Sequence, residues 1–388
     1  MKKFLHAVLV FCLVYLFAFA SCARAEDTGF GMVNAGDVAL RKDPRGQKIT
    51  RLQTGTSVWI TDAGTDSRGE LWYHVRTEED TTGGAVYRKG WVKAEFIDAG
   101  SALWHDIQTV RTGLCGMIAL KTDGTVLCAG HVQEEGLQGR YAALRDIRQI
   151  GVCSIGWGFF AVDGNGVMYR DGTAQQTGFR IRIAGNGDVR SISTDNRLVY
   201  NYEGSGGVVW AYPQSGGDAL LPRVTAMAGT SGKYLFLTDD GKVYAANEND
   251  YSAGDYEPDP DWETWTDAVS IDAALCSSGT YVLEGHTLKK YVPAFAVVRR
   301  DGTVLAAPSA LAALTADWQG IRQIALGPYW VLGLKQDGTV LAAGIDGGTP
   351  PDVSGWTDIA EVSNGLTYCI GVKNDGTLVF AGSFEFKD

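Results

Sequence analysis

The chain has 388 residues, 45% hydrophobic and 11% aromatic, with a formal charge of −11 at pH 7. A charged fraction of only 20% excludes a chain too polar to collapse. The acidic balance excludes a general nucleic-acid binder, because phosphate contacts need clustered Lys and Arg.

The first 25 residues read separately from the rest. Lys2 and Lys3 precede an unbroken run of fourteen apolar residues, Ala7 to Ala20. Ala23-Arg24-Ala25 then offers small residues at the two positions that determine cleavage. That order predicts a secretory signal peptide over 1–25, cut after Ala25, and so an extracellular or cell-surface protein. Two alternatives stay open. One is an uncut anchor, although fourteen residues are short for a span of ~20. The other is lipidation at Cys22, where Ala20 and Ser21 suit a lipoprotein signal and Phe19 stands where Leu is usual. Cleavage removes Lys2, Lys3 and Arg24 and no acid, which takes the charge from −11 to −14.

Residues 26–99 alternate short apolar runs with turns and show no helical period. Val38, Leu40, Ile49, Leu52, Val58 and Ile60 read as strand positions, followed by Trp72, Tyr73 and Val75 and by Gly90-Trp91-Val92. Five short strands in about 70 residues predict a small β-barrel. The order VALRKDPRGQKITRLQTGTSVWI, LWYHV, GWVKAEFI resembles the bacterial Src-homology-3 (SH3b) family. Two departures are visible. Residues 77–89 lengthen the hairpin before Gly90-Trp91, and Arg41 to Arg45 replace a loop that is usually small and Ser/Gly-rich. The resemblance implies binding without catalysis, often of cell-wall peptide or glycan. Arg41, Lys42, Arg45, Lys48 and Arg51 lie in eleven residues against one acid, Asp43, a stretch suited to anionic wall polymer. Trp72 and Trp91 suit an aromatic platform for an extended peptide or sugar. The candidate ligand-binding residues are therefore Arg41, Lys42, Arg45, Trp72 and Trp91. A solvated basic strand face and core tryptophans are the plainer readings of the same residues.

From residue 100 onward one register recurs. Ile107, Ile147, Val189, Val224, Ala268, Ile321 and Ile359 are each followed, seventeen residues later, by glycine: Gly124, Gly164, Gly206, Gly241, Gly285, Gly338 and Gly376. A period of about 40 residues marks a repeat architecture. LKTDGTVLCAG (120–130), LKQDGTVLAAG (334–344) and VKNDGTLVFAG (372–382) each read as strand, Asp-Gly turn, strand. Asp-Gly between apolar alternations is a strong hairpin signal, because both residues tolerate positive φ. Trp104, Trp265, Trp318 and Trp356 stand three residues before an anchor, a position suited to packing between neighbouring repeats. Three strands and an outer one per repeat fit a propeller blade, which buries both faces only by stacking around a ring. The pattern W-x-D/G-I…LK-x-DGTV-x-A-x-G resembles the regulator of chromosome condensation repeat family, most clearly in the first and last two copies. The family's nucleotide exchange and chromatin binding are opposed here by the export signal and the acidity.

The expected fold is therefore all-β: a small SH3-like barrel (26–99) and a β-propeller (100–388), with seven blades favoured over eight. Asp301-Gly302-Thr303-Val304 makes an extra hairpin without its own anchor and is expected to finish an enlarged fifth blade. Residues 100–106 or the tail Ser383–Phe386 are the expected source of a ring-closing strand.

Chemistry is sparse. His6, His74, His105, His131 and His286 are scattered, with no metal spacing. No G-x-S-x-G elbow occurs, and Gly229 to Lys233 lacks the spacing of a phosphate loop. The acid-rich stretch 247–263 lacks the D-x-D-x-D-G order of a Ca²⁺ loop. Cys115, Cys128, Cys153, Cys276 and Cys369 contain no CxxC and read as small buried residues. No catalytic residue, metal or cofactor is expected. The expected function is an exported binding scaffold. It meets cell-wall polymer or peptide through 26–99 and a protein partner through propeller loops, with neither nucleic acid nor further membrane contact. A glycan-acting enzyme with carboxylates in the central channel is the alternative.

Overall fold

The computed structural model describes residues 28–81, 84–113, 116–130, 137–152, 159–164, 167–170, 173–174, 192–194, 198–200, 208–211, 219–220, 224–230, 233–247, 261–283 and 286–384. The signal segment, Cys115, Cys153, the glycines at 206 and 285 and most of 247–263 lie outside them. The chain divides into two compact units. One holds the residues up to His105 with Ala129–His131 and the tail from Ser383, and the other holds Asp106–Cys128 and Val132–Gly382.

The first unit is built on a single sheet of β1 (Gly29–Val33), β2 (Val38–Arg41), β3 (Lys48–Leu52), β4 (Ser57–Thr65), β5 (Leu71–Thr81), β6 (Gly84–Lys93) and β7 (Ile97–Asp98). Their spatial order is β3-β2-β6-β5-β4-β1-β7. Strand alternation points Val38, Leu40, Val58, Ile60, Tyr73, Val75 and Val92 into one core. A second, aromatic cluster sits elsewhere in this unit. Phe30 meets Trp59 edge-on at 4.9 Å, and Phe384 from the tail packs on both, at 4.9 Å from Phe30 and 6.1 Å from Trp59. Fully buried Trp104 donates its indole N–H to the Phe30 carbonyl at 2.6 Å. Phe384 of the tail thus packs in the first unit, and residues 385–386 lie outside the described residues.

The second unit contains seven sheets in chain order among the described residues. They are β8 (Ile107–Thr112), β9 (Gly116–Lys121) and β10 (Val126–Gly130); β11 (Ile147–Val152), β12 (Phe159–Asp163), β13 (Met168–Arg170) and β14 (Thr173–Ala174); β15 (Ile192–Thr194), β16 (Leu198–Tyr200), β17 (Val208–Ala211) and β18 (Ala219–Leu220); β19 (Val224–Thr230), β20 (Lys233–Thr238) and β21 (Val243–Asn247); β22 (Ala268–Leu283), β23 (His286–Arg299) and β24 (Val304–Ala307); β25 (Ile321–Leu326), β26 (Trp330–Lys335) and β27 (Val340–Gly344); and β28 (Ile359–Asn364), β29 (Tyr368–Lys373) and β30 (Leu378–Gly382). Short helices occur at Leu137–Ala142 (α1) and Ser309–Thr315 (α2).

One hydrogen bond explains the recurring glycine. Its carbonyl accepts the N–H of the next sheet's anchor: Ile147 from Gly124 at 2.9 Å, Ala268 from Gly241 at 2.9 Å, Ile321 from Gly302 at 3.0 Å and Ile359 from Gly338 at 3.1 Å. The last sheet repeats the bond to the first, Ile107 N–H to the Gly376 carbonyl at 2.9 Å, and so closes the ring. Closure is sheet against sheet. Among the described residues, which include 100–106 but not 385–386, no strand from one end joins the sheet at the other. The residue before each anchor, Asp106, Asp146, Asp267 or Asp358, takes positive φ to fit beneath the preceding turn, and Gly320 does so before Ile321.

The Asp-Gly hairpins form as expected, and only glycine has positive φ in them, as at Gly124 (79°) and Gly338 (81°). Each is a type I turn followed by a left-handed glycine: Gly124 N–H bonds the Lys121 carbonyl at 3.0 Å and Lys121 N–H bonds the Thr125 carbonyl at 2.8 Å. The aspartate binds the threonine two residues on, as Asp123 Oδ1 does with Thr125 N–H at 2.9 Å and its hydroxyl at 2.6 Å. One expectation needs correction: the seam glycine of the fifth sheet is Gly302 and does not lie seventeen residues after its anchor. β22 runs sixteen residues and pairs Ala268 with Arg299, which moves that turn along the chain. Asp301 to Val304 does complete the enlarged fifth sheet, as β24 pairs with β23.

Three of the four tryptophans before anchors, Trp265, Trp318 and Trp356, pack as expected between successive sheets, whereas Trp104 packs in the first unit. Trp265 lies among Leu235, Leu237, Phe295 and Val297, and Trp356 among Leu332, Leu334 and Cys369. Trp318 sits over Gly333, where an added Cβ would lie 2.4 Å from its ring.

Candidate functional site

The sheet register brings only part of the predicted ligand set together. Arg41, the last residue of β2, pairs with Trp91 on β6, and Trp91 pairs with His74 on β5. Their neighbours Leu40, Val92, Tyr73 and Val75 point into the core, so Arg41, Trp91 and His74 form a row on the opposite face. Gly90 permits this approach, since a Cβ there would lie 2.4 Å from the Arg41 carbonyl. The Trp91 indole is half-buried and meets the His74 ring edge-on at 5.3 Å. Arg41 donates to the Gly46 carbonyl at 2.8 Å, and Lys42 is exposed.

Trp72 and Arg45 lie apart from this row and converge on Asp66. Trp72 is buried, 5% exposed, and its indole N–H donates to Asp66 Oδ2 at 3.1 Å. Arg45 donates to Asp66 and to Glu70. Asp66 Oδ1 also accepts the N–H groups of Arg68 at 2.8 Å and Glu70 at 3.1 Å. Burial pushes the Asp66 carboxyl up, but the bonds from Arg45, Arg68, Glu70 and Trp72 outweigh it and hold the group well below the usual carboxylate range. A lowered folded pKa adds stability that is present above pH ~4 and lost as the pH falls further. The Asp66→Asn protein should lose part of this acid sensitivity. Fluorescence-monitored unfolding from pH 2 to 7 checks it, and an unchanged profile would refute the role.

His74 was passed over in the sequence, although its place between core-facing Tyr73 and Val75 marks it as outward. Burial lowers its pKa, opposed by Asp62 and helped by Arg76 and Lys89. The Thr61 hydroxyl lies 2.7 Å from His74 Nδ1 and 3.1 Å from the His74 carbonyl.

In the second unit, polar side chains on the first strands stitch neighbouring sheets. Gln323 on β25 bonds the Val362 backbone on β28 twice, at 2.9 and 3.0 Å. Ser363 accepts the Thr112 N–H at 3.1 Å. Glu361 accepts from Thr109 at 2.9 Å and from Arg111. Asp272 on β22 accepts the Leu326 N–H at 2.7 Å and the Ala273 N–H at 2.9 Å. Burial pushes the Asp272 carboxyl up to about 6, against the pull of those N–H groups and of Arg111. Cys128, Cys276 and Cys369 are buried, and burial raises the Cys276 and Cys369 thiols to about 12. Among the described residues no group of His, Cys, Asp or Glu is arranged to hold a metal ion. None of the described helices is long and apolar enough to cross a membrane.

Seven consecutive antiparallel sheets, joined at five junctions by the same anchor-to-glycine bond and with the last bonded to the first, define a β-propeller, preceded by a small single-sheet module. No protein-family model matches the chain, and no curated protein matches it. Solved structures with some likeness include the CRINKLY WD40 ectodomain of the Arabidopsis thaliana receptor kinase ACR4, at 12% identity and a TM-score of 0.43, covering 72% of this chain and 96% of that one. Yeast RCC1 (Prp20), solved bound to Kap60, is 14% identical with a TM-score of 0.33, covering 71% and 70%. Human WBSCR16 is 14% identical with a TM-score of 0.35, covering 92% and 88%. The propeller assignment rests on the chain's own sheets and seam bonds.

Proposed function

We propose that the protein is an exported, non-enzymatic binding scaffold, with an SH3-like module that attaches to cell-wall polymer or peptide and a seven-bladed propeller that presents loops to a protein partner. The observation that carries the reading is the outward row of Arg41, Trp91 and His74, which offers a cation, a half-buried indole and an imidazole on one sheet face. An indole in such a row stacks on a sugar or an extended peptide while Arg41 meets an anionic group. The mature chain, residues 26–388, should be retained on purified sacculi, and Trp91→Ala should weaken retention about tenfold, or ~1.4 kcal/mol. Equal retention of the two proteins would refute the row's role.

The enzymatic alternative has one observation in its favour, two carboxylates on first strands, Asp272 and Glu361. In the scaffold reading both are committed to seam bonds. Glu361 holds Arg111 and Thr109, and Asp272 holds two backbone N–H groups. Release of soluble sugar from sacculi by the wild type but not by Glu361→Gln would favour the enzyme.

A further inference from the structure

The outward face that carries Arg41, Trp91 and His74 continues into the neighbouring strands. Lys48 on β3 pairs with Arg41, and Arg76 on β5 pairs with Lys89 on β6. Arg76 stands two residues from His74 and Lys89 two residues from Trp91, so the four cations share the face of that row. Lys48 and Lys89 are exposed, and Arg41 and Arg76 are half-buried. Two like-charged pairs therefore stand directly opposite across strands, an arrangement that destabilises a sheet.

The module pairs its other cations where it can. Arg45 is held by Asp66 and Glu70, and Arg51 by Asp37. Lys93, the next outward residue of β6 after Trp91, lies 3.1 Å from Glu70 and 2.8 Å from Glu95. Among the described residues, by contrast, Arg41, Lys48, Arg76 and Lys89 meet no carboxylate at ion-pair distance. Arg41 is steadied by the Gly46 carbonyl at 2.8 Å. Asp62, opposite His74 on β4, is an acid on this face, and its Oδ1 accepts the Ala63 N–H at 2.8 Å. The chain has 45 Asp and Glu against 34 Lys and Arg, so four unmatched cations on one face do not reflect a shortage of acids.

Spacing excludes a single small anion as their partner. Neighbouring strands lie about 4.8 Å apart and alternate residues of one strand about 6.8 Å apart, which puts the two cation pairs on the order of 12 Å from centre to centre. A chain with an anion in each repeat can meet both. A peptide added to a sheet draws affinity from main-chain bonds at an edge, and a sheet face offers none. The two unbridged oxygens of a phosphodiester diverge tetrahedrally, so one can meet the Arg fork and the other the Lys ammonium of a pair.

We propose that this face, as the attachment surface of the wall-binding reading on which the proposal rests, takes a linear phosphodiester polymer of the wall. Its phosphates sit on the Arg41–Lys48 and Arg76–Lys89 pairs, and the repeat unit between them lies against Trp91.

Titration of the full chain with poly(glycerol phosphate) over a series of salt concentrations tests this. Log affinity should fall against log salt with a slope of about −3, from ~0.7 for each of the four cations. Lys48→Gln and Lys89→Gln should each weaken binding about fivefold at low salt and reduce the slope by ~0.7. Lys48→Arg and Lys89→Arg should bind as the wild type does. Arg68→Gln, which removes an exposed cation from the turn between β4 and β5, should change neither affinity nor slope. Both glutamine proteins should melt at or above the wild-type temperature, because each relieves a like-charged pair. Salt-independent binding, equal affinity for the carboxylate polymer polygalacturonate, an equal loss in Arg68→Gln, or glutamine proteins that melt several degrees lower would overturn the proposal. Sacculi stripped of phosphate polymer separate it from the reading beneath it. Retention on them that depends on Trp91, with no binding of poly(glycerol phosphate), would end the phosphodiester assignment and leave wall attachment standing.

Discussion

Replacing Trp104 by alanine is expected to destabilise the first unit by ~3–5 kcal/mol, the usual range for removing a large buried aromatic. Trp104 is fully buried, and its removal leaves a void beside Phe30. The loss includes the bond from the indole to the Phe30 carbonyl, worth ~1 kcal/mol. Trp104→Phe keeps most of the volume and loses the N–H, so it should fall between wild type and alanine. Urea unfolding followed by far-UV circular dichroism separates the three proteins. A cost below ~1 kcal/mol for the alanine protein would mean that the aromatic cluster does not hold this unit together.

Gly302→Val should be nearly as damaging to the ring, by ~3 kcal/mol. Two costs add at this position. The residue has φ of 83°, which costs a non-glycine residue ~1–2 kcal/mol. A Cβ there would also lie 2.8 Å from the Gly320 backbone, and relieving such overpacking typically costs ~1–3 kcal/mol. The strain falls on the Gly302–Ile321 seam bond, one of the five that repeat around the ring. Gly347 supplies the control. It has φ of 74° but open space around the position of a Cβ, so Gly347→Ala pays only the backbone cost. If Gly302→Ala and Gly347→Ala prove equal in thermal unfolding, close packing at the seam contributes nothing.

Much of this fold is local and so was legible in the chain itself. The Asp-Gly-Thr turns, the two-residue alternation of the flanking strands and the tryptophan before four of the anchors depend on neighbours within about twenty residues, and they recur. Repetition then implies stacking, because one small sheet cannot bury both faces. The seventeen-residue offset worked for the same reason wherever anchor and turn belong to one compact sheet, and it misled at Gly285. There the strands overrun into an arm, and the seam glycine moved to Gly302.

The candidate sites were less legible. Arg41, Trp91 and His74 become neighbours only through strand pairing, and a barrel pattern does not show which tryptophan stays outside. Trp72 and Arg45, two of the five predicted ligand residues, turn out to share Asp66.

By itself the sequence determined the strands, the turns and the period of the ring, since these follow from backbone preference and burial at short range. Tertiary structure alone decided that Ile107 closes on Gly376, that Phe384 belongs with Phe30, and that Arg111 meets Glu361. The physical reason is distance along the chain. Those partners lie more than 240 residues apart, where no periodicity reaches and only the packing of whole sheets brings them together.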